Sequence, residues 1–202
     1  MSIVVEHEKR RREILEKALD VFMDQGYENV TFLKIADRCG ITRTTLYLYF
    51  KNKKEVFNYS IKQMLSEVER EIQAVRRDQG LKTGDRLVRM LTGIIDRLEK
   101  NRRILLVSLN YLLYISKSDH DPKYRVRRRT VRLRHFLATT VIEGIRAGEL
   151  IPMNIRDVDE LFCSILESAV FRLAVLRQAS SAELKGAAEL AVRRLEIKPG
   201  ES

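Results

Sequence analysis

The sequence has little proline or glycine and no tryptophan. Its 202 residues include only 3 prolines and 9 glycines, whereas 45% are hydrophobic and 33% are charged. Because proline and glycine interrupt helices most strongly, their scarcity favours helix and argues against an extensive sheet. We therefore expect an all-α protein.

Cysteine and long apolar runs are also scarce. The two cysteines, Cys39 and Cys163, lie far apart, which excludes a disulfide framework and a metal site built on paired cysteines. The chain contains no run of about 18 apolar residues, and its first residues lack the apolar core of a signal peptide. We expect a cytoplasmic protein with no membrane contact.

Signs of catalysis are missing as well. There is no glycine-rich phosphate loop and no nucleophile elbow, and the 3 histidines are scattered. Asp119, His120 and Asp121 are adjacent in a polar segment, and three neighbouring side chains rarely converge on one ion, so we expect a solvated loop there. We expect no enzyme, no cofactor and no bound metal.

Positive charge is abundant but unevenly placed. The net charge of +10 suggests a polyanionic partner, yet residues 1–60 hold 11 basic and 9 acidic side chains and so contribute little of it. Residues 123–134 contain seven basic residues and no acidic one. Four of these arginines recur at the spacing of one helical face: Arg125, Arg128, Arg129 and Arg132. Two interpretations stay open, namely a solvated face paired with carboxylates elsewhere, or a contact with an anionic effector, nucleic acid or an acidic protein.

Helical periodicity extends over most of the chain. Apolar residues recur at helical spacing over residues 9–25, and Gly26 follows as a C-terminal cap. Asn52 restarts the chain into a longer helix that ends near Gly80. Five more amphipathic segments are expected over residues 85–100, 102–116, 124–147, 158–178 and 182–195. With two short helices in between, the prediction is about nine helices.

The two short helices and a sharp turn are expected between residues 31 and 50. Thr31 is a suitable N-cap for a helix over residues 32–39, and Gly40 permits a sharp turn because glycine adopts positive φ. Thr42 then caps a third helix that runs through Phe50. This is the spacing of a helix-turn-helix.

A helix-turn-helix needs apolar residues where its helices cross and small residues where their backbones meet. Ala36 and Gly40 are the small residues. The apolar contacts are expected from Ile35, Cys39, Ile41, Leu46 and Tyr49. The alternative is an ordinary helical hairpin within a core.

The second of these helices carries side chains that suit a major groove. Arg43 matches a guanine edge, Thr44 and Leu48 match a thymine methyl group, and Tyr47 and Lys53 match phosphates. Because a surface helix gains nothing by exposing a tyrosine and a leucine, their presence favours a binding face.

These residues resemble the signature of the TetR family of bacterial transcriptional regulators. The run from Thr31 to Glu55 contains the core Leu46-Tyr47-x-Tyr49-Phe50-x-x-Lys53, and the resemblance extends over residues 9–57 with a weak echo at residues 142–150. It implies a three-helix DNA-binding domain over residues 1–55 and a larger helical domain over residues 56–202 that binds an effector and dimerises.

The resemblance also implies which residues contact DNA. The family's positions map onto Thr31, Arg43, Thr44, Thr45, Tyr47, Leu48, Tyr49 and Lys53, and Thr42 and Lys51 complete our predicted set. Two departures, Leu33 where some members have a base-reading arginine and Thr44 where a smaller residue or proline is common, prevent transfer of an operator sequence.

A dimer interface is predicted on the segment over residues 158–178. This segment is apolar over most of its circumference, more than one core face requires. The predicted interface residues are Val158, Leu161, Phe162, Ile165, Leu166, Ala169 and Leu173. The alternative is a central helix buried within a monomer. A two-fold dimer predicts a near-palindromic operator.

Candidate effector-binding residues are apolar or aromatic side chains on several predicted helices. They are Met90, Ile94, Tyr111, Tyr114 and Phe136. The alternative is that these side chains fill the core.

The predicted function is a homodimeric regulator of transcription that a small-molecule effector releases from double-stranded DNA, and the resemblance to the family implies that it is a repressor. The alternative is a DNA-bound adaptor that recruits a protein partner without a small-molecule effector.

Overall fold

The computed structural model describes residues 2–116, 122–178 and 180–197, and of residues 2–4 and 122–129 it describes the helical backbone only. Within these residues the chain forms nine helices and a single antiparallel bridge between Leu150 and Glu196. The helices are α1 (Ser2–Asn29), α2 (Phe32–Cys39), α3 (Arg43–Tyr47), α4 (Lys53–Arg76), α5 (Thr83–Lys100), α6 (Arg102–Ser116), α7 (Pro122–Arg146), α8 (Ile155–Ala174) and α9 (Ala182–Arg193). The predicted all-α class is confirmed.

The ends of the helices differ from the predicted ones in places. Helix α1 begins at Ser2, seven residues before the predicted start, and the helical path breaks at Gly26, where φ is 73° and ψ is 162°. Helix α3 ends at Tyr47 rather than Phe50, because the next amides bond back to Thr45 and Leu46 in a tighter turn.

Two compact units make up the fold. The head unit consists of Met1–Ser66 and Leu106–Pro122, and the body unit consists of Glu67–Leu105 and Lys123–Ser202. Helices α4 and α6 each contribute residues to both units. The division of the chain into domains at residue 55 stays a prediction.

Aromatic rings fill much of the head unit. Phe22 lies 4.9 Å from Phe57 and 5.9 Å from Tyr27, measured between ring centroids, and Tyr111 of α6 packs 4.6 Å from Tyr27 and 4.7 Å from Phe57. All but Tyr111 come from α1 and α4. Stacked and edge-on ring contacts of this kind add to the burial of apolar area, so the rings hold α1, α4 and the end of α6 together.

Helices α5, α8 and α9 pack together in the body unit. Their core includes four residues of the predicted dimer interface, Val158, Phe162, Ala169 and Leu173, each at most 6% exposed. Ile165 and Leu166 are half-buried against the same core, whereas Leu161 is 41% exposed. A side chain enclosed by its own subunit has little area left for a partner, so the structure assigns these four residues to the core.

No helix in the described part of the chain is long and apolar enough to cross a membrane.

Candidate nucleic-acid interface

Helix α2 and the turn after it have the geometry that the sequence predicts. The amide of Lys34 donates to the Thr31 hydroxyl over 3.2 Å, and Ile35 and Ala36 are fully buried against the rest of the head unit. Gly40 has φ of 68°, and its N–H bonds to the carbonyls at the end of α2. Since this conformation is strained for residues with a Cβ, the glycine sets the angle between the two helices.

Helix α3 is capped at its start and anchored at its middle. The Thr42 hydroxyl accepts the Thr45 amide over 3.1 Å and lies 2.8 Å from the Thr45 hydroxyl. Leu46 is fully buried, and Ile41 and Tyr49 are half-buried. Burial of Leu46 fixes which face of this short helix points outward.

The outward face of α3 exposes large side chains. Tyr47 is 50% exposed and Leu48 is 74% exposed, and Arg43 and Thr44 are exposed beside them. The Arg43 guanidinium donates to the Tyr47 hydroxyl over 3.1 Å, and the Tyr47 ring packs 4.6 Å from the ring of buried Phe32. Phe32 thus holds Tyr47, and Tyr47 holds Arg43, so the face is organised before any ligand binds.

The remaining predicted contact residues surround this face. Thr31, Thr42 and Lys51 are exposed, and Thr45 and Tyr49 are half-buried. The Tyr49 ring stacks on His7 with centroids 4.6 Å apart and the planes 20° from parallel. The sequence prediction missed His7, because it began the first helix two residues after it and a contact between residues so far apart leaves no local signal.

Lys53 has an environment that the sequence did not reveal. Its ammonium donates to the carbonyls of Tyr27, Glu28 and Val30 over 3.0, 2.9 and 2.9 Å, and it lies 4.8 Å from the centroid of the Tyr27 ring. Burial lowers the pKa of Lys53, and the nearby carboxylate of Glu28 opposes that shift. All three N–H groups are used within the head unit.

The predicted effector residues are divided between the units. Met90 and Ile94 lie in the body core, with Phe136 packed against it. Tyr111 and Tyr114 belong to the head unit, where Tyr111 is 4% and Tyr114 47% exposed. A groove of about 390 Å³ in the head unit is lined by Gln25, Gly26, Tyr27, Glu28, Asn29, Asn110, Leu113 and Tyr114.

The arginine-rich segment lies only partly within the described residues. The side chains of Arg125, Arg128 and Arg129 are outside them, as are Asp119, His120 and Asp121. Arg132 is exposed and lies 3.4 Å from Glu69. Arg134 pairs with Asp159, and the hydrogen bond to that carboxylate raises the pKa of Arg134. Among the described residues, no group of His, Cys, Asp or Glu is arranged to hold a metal ion.

Known proteins share this sequence pattern and this fold. Residues 14–59 match the model of the bacterial regulatory proteins of the tetR family. The chain is 26% identical over 196 residues to an uncharacterized HTH-type transcriptional regulator, YfiR, of Bacillus subtilis, with 94% of this chain and 92% of that protein aligned.

Two solved structures resemble the whole fold. The transcriptional regulator FadR from Bacillus subtilis, in complex with stearoyl-CoA, is 18% identical with a TM-score of 0.74, and the match covers 90% of this chain and 95% of that one. A TetR transcription regulator from Haloarcula marismortui is 18% identical with a TM-score of 0.81, over 94% and 100% of the two chains. Residues 14–59, which include the helix-turn-helix of the head unit, therefore match the tetR family of bacterial regulatory proteins, and the chain shares the fold of these two transcriptional regulators.

Proposed function

We propose that the protein is a homodimeric repressor that binds a near-palindromic operator and leaves it when a small-molecule effector binds. The exposed face of α3 carries this proposal. Arg43, Thr44, Tyr47 and Leu48 combine a guanidinium, a hydroxyl and two large apolar groups on one exposed surface, which suits base edges and methyl groups in a major groove. Thr31, Thr42, Thr45, Tyr49 and Lys51 flank this face and are the proposed contacts to the backbone.

Dimerisation is proposed through the exposed faces of α8 and α9. Five exposed residues of α8 and its C-terminal end follow one helical stripe: Leu161, Ser164, Ser168, Phe171 and Val175. Helix α9 exposes Gly186, Ala187 and Leu190 in the same way. Small residues between large apolar ones let a second helix approach closely, and Phe171 and Leu190 are 52% and 60% exposed. This stripe replaces the buried face of α8 as our proposed interface and retains Leu161.

The effector is proposed to be a long-chain acyl thioester. The FadR structure that resembles this fold holds stearoyl-CoA, and we propose that apolar side chains of the body unit, Met90, Ile94 and Phe136, contact the acyl chain. Binding must favour a state of the protein with lower operator affinity, because a ligand shifts an equilibrium only by its differential affinity.

Selection of bound DNA from a random pool at two salt concentrations tests the proposal. An inverted repeat recovered at both concentrations supports specific dimeric binding, whereas steeply salt-dependent binding without a consensus contradicts it. Stearoyl-CoA added to the operator complex should then weaken binding, with free CoA as the control. Operator binding that no acyl thioester changes would favour the adaptor function instead.

A further inference from the structure

Lys53 begins helix α4, where a positive charge is unfavourable. The first turn of a helix presents unpaired N–H groups and the positive end of the helix dipole, so a lysine there gains nothing from its own helix. Helix α1 ends in a short turn after the break at Gly26, and the carbonyl groups at such an end favour a cation. The last turn of α1, which the structure describes in full, contains no basic residue.

Two ammonium groups lie at the end of α1: that of Lys34 donates to the carbonyl of Asn29 over 3.1 Å, and that of Lys53 makes the larger set of bonds. The Lys53 ammonium donates to the carbonyls of Tyr27 and Glu28 in the last turn of α1 and to that of Val30 just beyond it, at 2.9 to 3.0 Å. A lysine ammonium has three hydrogens, and all three are donated here. The contact with the ring of buried Tyr27, 4.8 Å from its centroid, adds a cation–π attraction.

These bonds join the two ends of the helix-turn-helix. Val30 immediately precedes Thr31, the N-cap of α2, and Lys53 immediately follows Asn52, whose side chain accepts the Glu55 amide and caps α4. The ammonium group of Lys53 therefore holds together the two ends of the segment of residues 31–52, which contains α2 and α3. The contact bridges 23 residues of sequence.

We propose that Lys53 is a positioning residue, which fixes the helix-turn-helix on the end of α1 instead of binding a DNA phosphate. The inference rests on the proposed operator binding, since its effect is read through operator affinity. A phosphate contact by Lys53 would require the ammonium to leave the three carbonyls, whereas Lys51 and Lys54 beside it are exposed. Loss of Lys53 frees the ends of the segment, so the face of α3 no longer meets the bases in one orientation.

Two substitutions separate the roles. Lys53→Met removes both the charge and the donors, whereas Lys53→Gln removes the charge but keeps two N–H donors near the carbonyls. Lys51→Met is the reference for a phosphate contact, and Lys54→Met is the matched loss of an exposed charge one residue away. Each full-length variant is compared for thermal unfolding and for affinity to the selected operator and to random DNA over a range of salt.

Positioning predicts a distinct pattern of affinities. Lys53→Met should weaken operator binding about tenfold, the scale of one lost base contact, while random DNA binding and the salt slope stay as in wild type. Lys53→Gln should retain more operator affinity than Lys53→Met. Lys51→Met should lower the salt slope by about 1 and weaken both DNAs alike.

Two outcomes would overturn the proposal. A salt slope lowered by about 1 in both Lys53 variants, with both DNAs weakened equally, would make Lys53 a phosphate ligand. If Lys53→Met unfolds at a lower temperature than wild type but binds the operator equally well below that temperature, the bonds of Lys53 only stabilise the fold. If Lys53→Met does not fold, the salt slopes of Lys53→Gln for operator and random DNA decide between positioning and phosphate binding. If wild type selects no operator, the proposed function fails first.

Discussion

The head and body units each expose large apolar side chains, but the residues that surround these side chains differ. In the head unit Tyr47 and Leu48 stand beside Arg43 and threonine hydroxyls on a helix of five residues. In the body unit Phe171 and Leu190 lie on α8 and α9 among serine, glycine and alanine. The first combination suits a polar groove with methyl groups in it, and the second suits another helix at close range. We expect a binding surface where exposed apolar side chains cluster, and the residues beside them indicate the partner.

The largest effect that separates the two surfaces is expected from the double change Arg43→Ala and Tyr47→Ala. It removes a proposed guanine contact and a proposed phosphate contact together with the hydrogen bond between them. Operator affinity should fall about a hundredfold or more, because a bidentate base contact alone is worth about 1 to 3 kcal/mol and the phosphate contact is lost with it. Fluorescence anisotropy with the selected operator measures this, and sedimentation should show an unchanged dimer. Retention of the consensus would mean that another helix reads the bases.

A charge placed in the exposed stripe of α8 and α9 should impair dimerisation, whereas the changes on α3 impair DNA binding. Leu190→Glu puts a carboxylate in the proposed interface, where burying it without a partner is costly, so the dimer should dissociate more than tenfold more readily, which corresponds to about 1.4 kcal/mol or more. Leu113→Glu is the matched control, since Leu113 of α6 is 63% exposed and lies outside the stripe. Sedimentation equilibrium decides, and a Leu190→Glu protein that stays dimeric would move the interface elsewhere.

The sequence predicted contacts between residues close together in the chain and missed contacts between distant ones. The turn at Gly40, the cap by Thr31 and the buried Leu46 are local, so spacing and residue type predicted them, and the structure agrees. The two contacts that sequence reasoning missed, His7 with Tyr49 and Lys53 with the end of α1, join residues more than twenty positions apart.

Helix α8 shows a second limit. Its apolar pattern is real, but periodicity does not say whether a residue is buried by its own subunit or by another. Phe162 and Leu173 face the core, and Phe171, which the prediction omitted, is exposed. The effector residues share this limit, because Met90 and Tyr111 have similar character and belong to different units.

Alkaline pH should lower the stability of the head unit through Tyr27, with a smaller effect than the two changes above. Burial, with Tyr111 and Tyr114 nearby, raises the pKa of Tyr27 to about 12. An unfolded tyrosine loses its proton near pH 10, so above about pH 10 the unfolded state binds fewer protons than the folded one, and stability falls by about 1.4 kcal/mol per pH unit until the folded pKa is reached. Tyr27→Phe should remove this loss in denaturant titrations at several pH values. Tyr59→Phe, also in the head unit, should retain it, and equal slopes in both variants would count against the assignment to Tyr27.

Acid should act on the body unit, with the smallest effect of the four. Glu149 accepts hydrogen bonds from the side chain and the backbone amide of Thr83, and these bonds lower the pKa of Glu149, with smaller help from Arg86 and Lys82. A carboxylate with a lowered pKa contributes stability above its unfolded pKa of about 4.3 and loses that contribution as the pH falls through the folded value. The unfolding temperature of Glu149→Gln should therefore lie roughly 2 °C below that of wild type near neutral pH, and the gap should close as the pH falls below about 4. The control is Glu183→Gln on α9, where the carboxylate is 75% exposed and pairs with Arg172, and this variant should keep an unfolding temperature close to that of wild type. If the gap between Glu149→Gln and wild type stays constant down to acid pH, Glu149 stabilises the body unit without its charge.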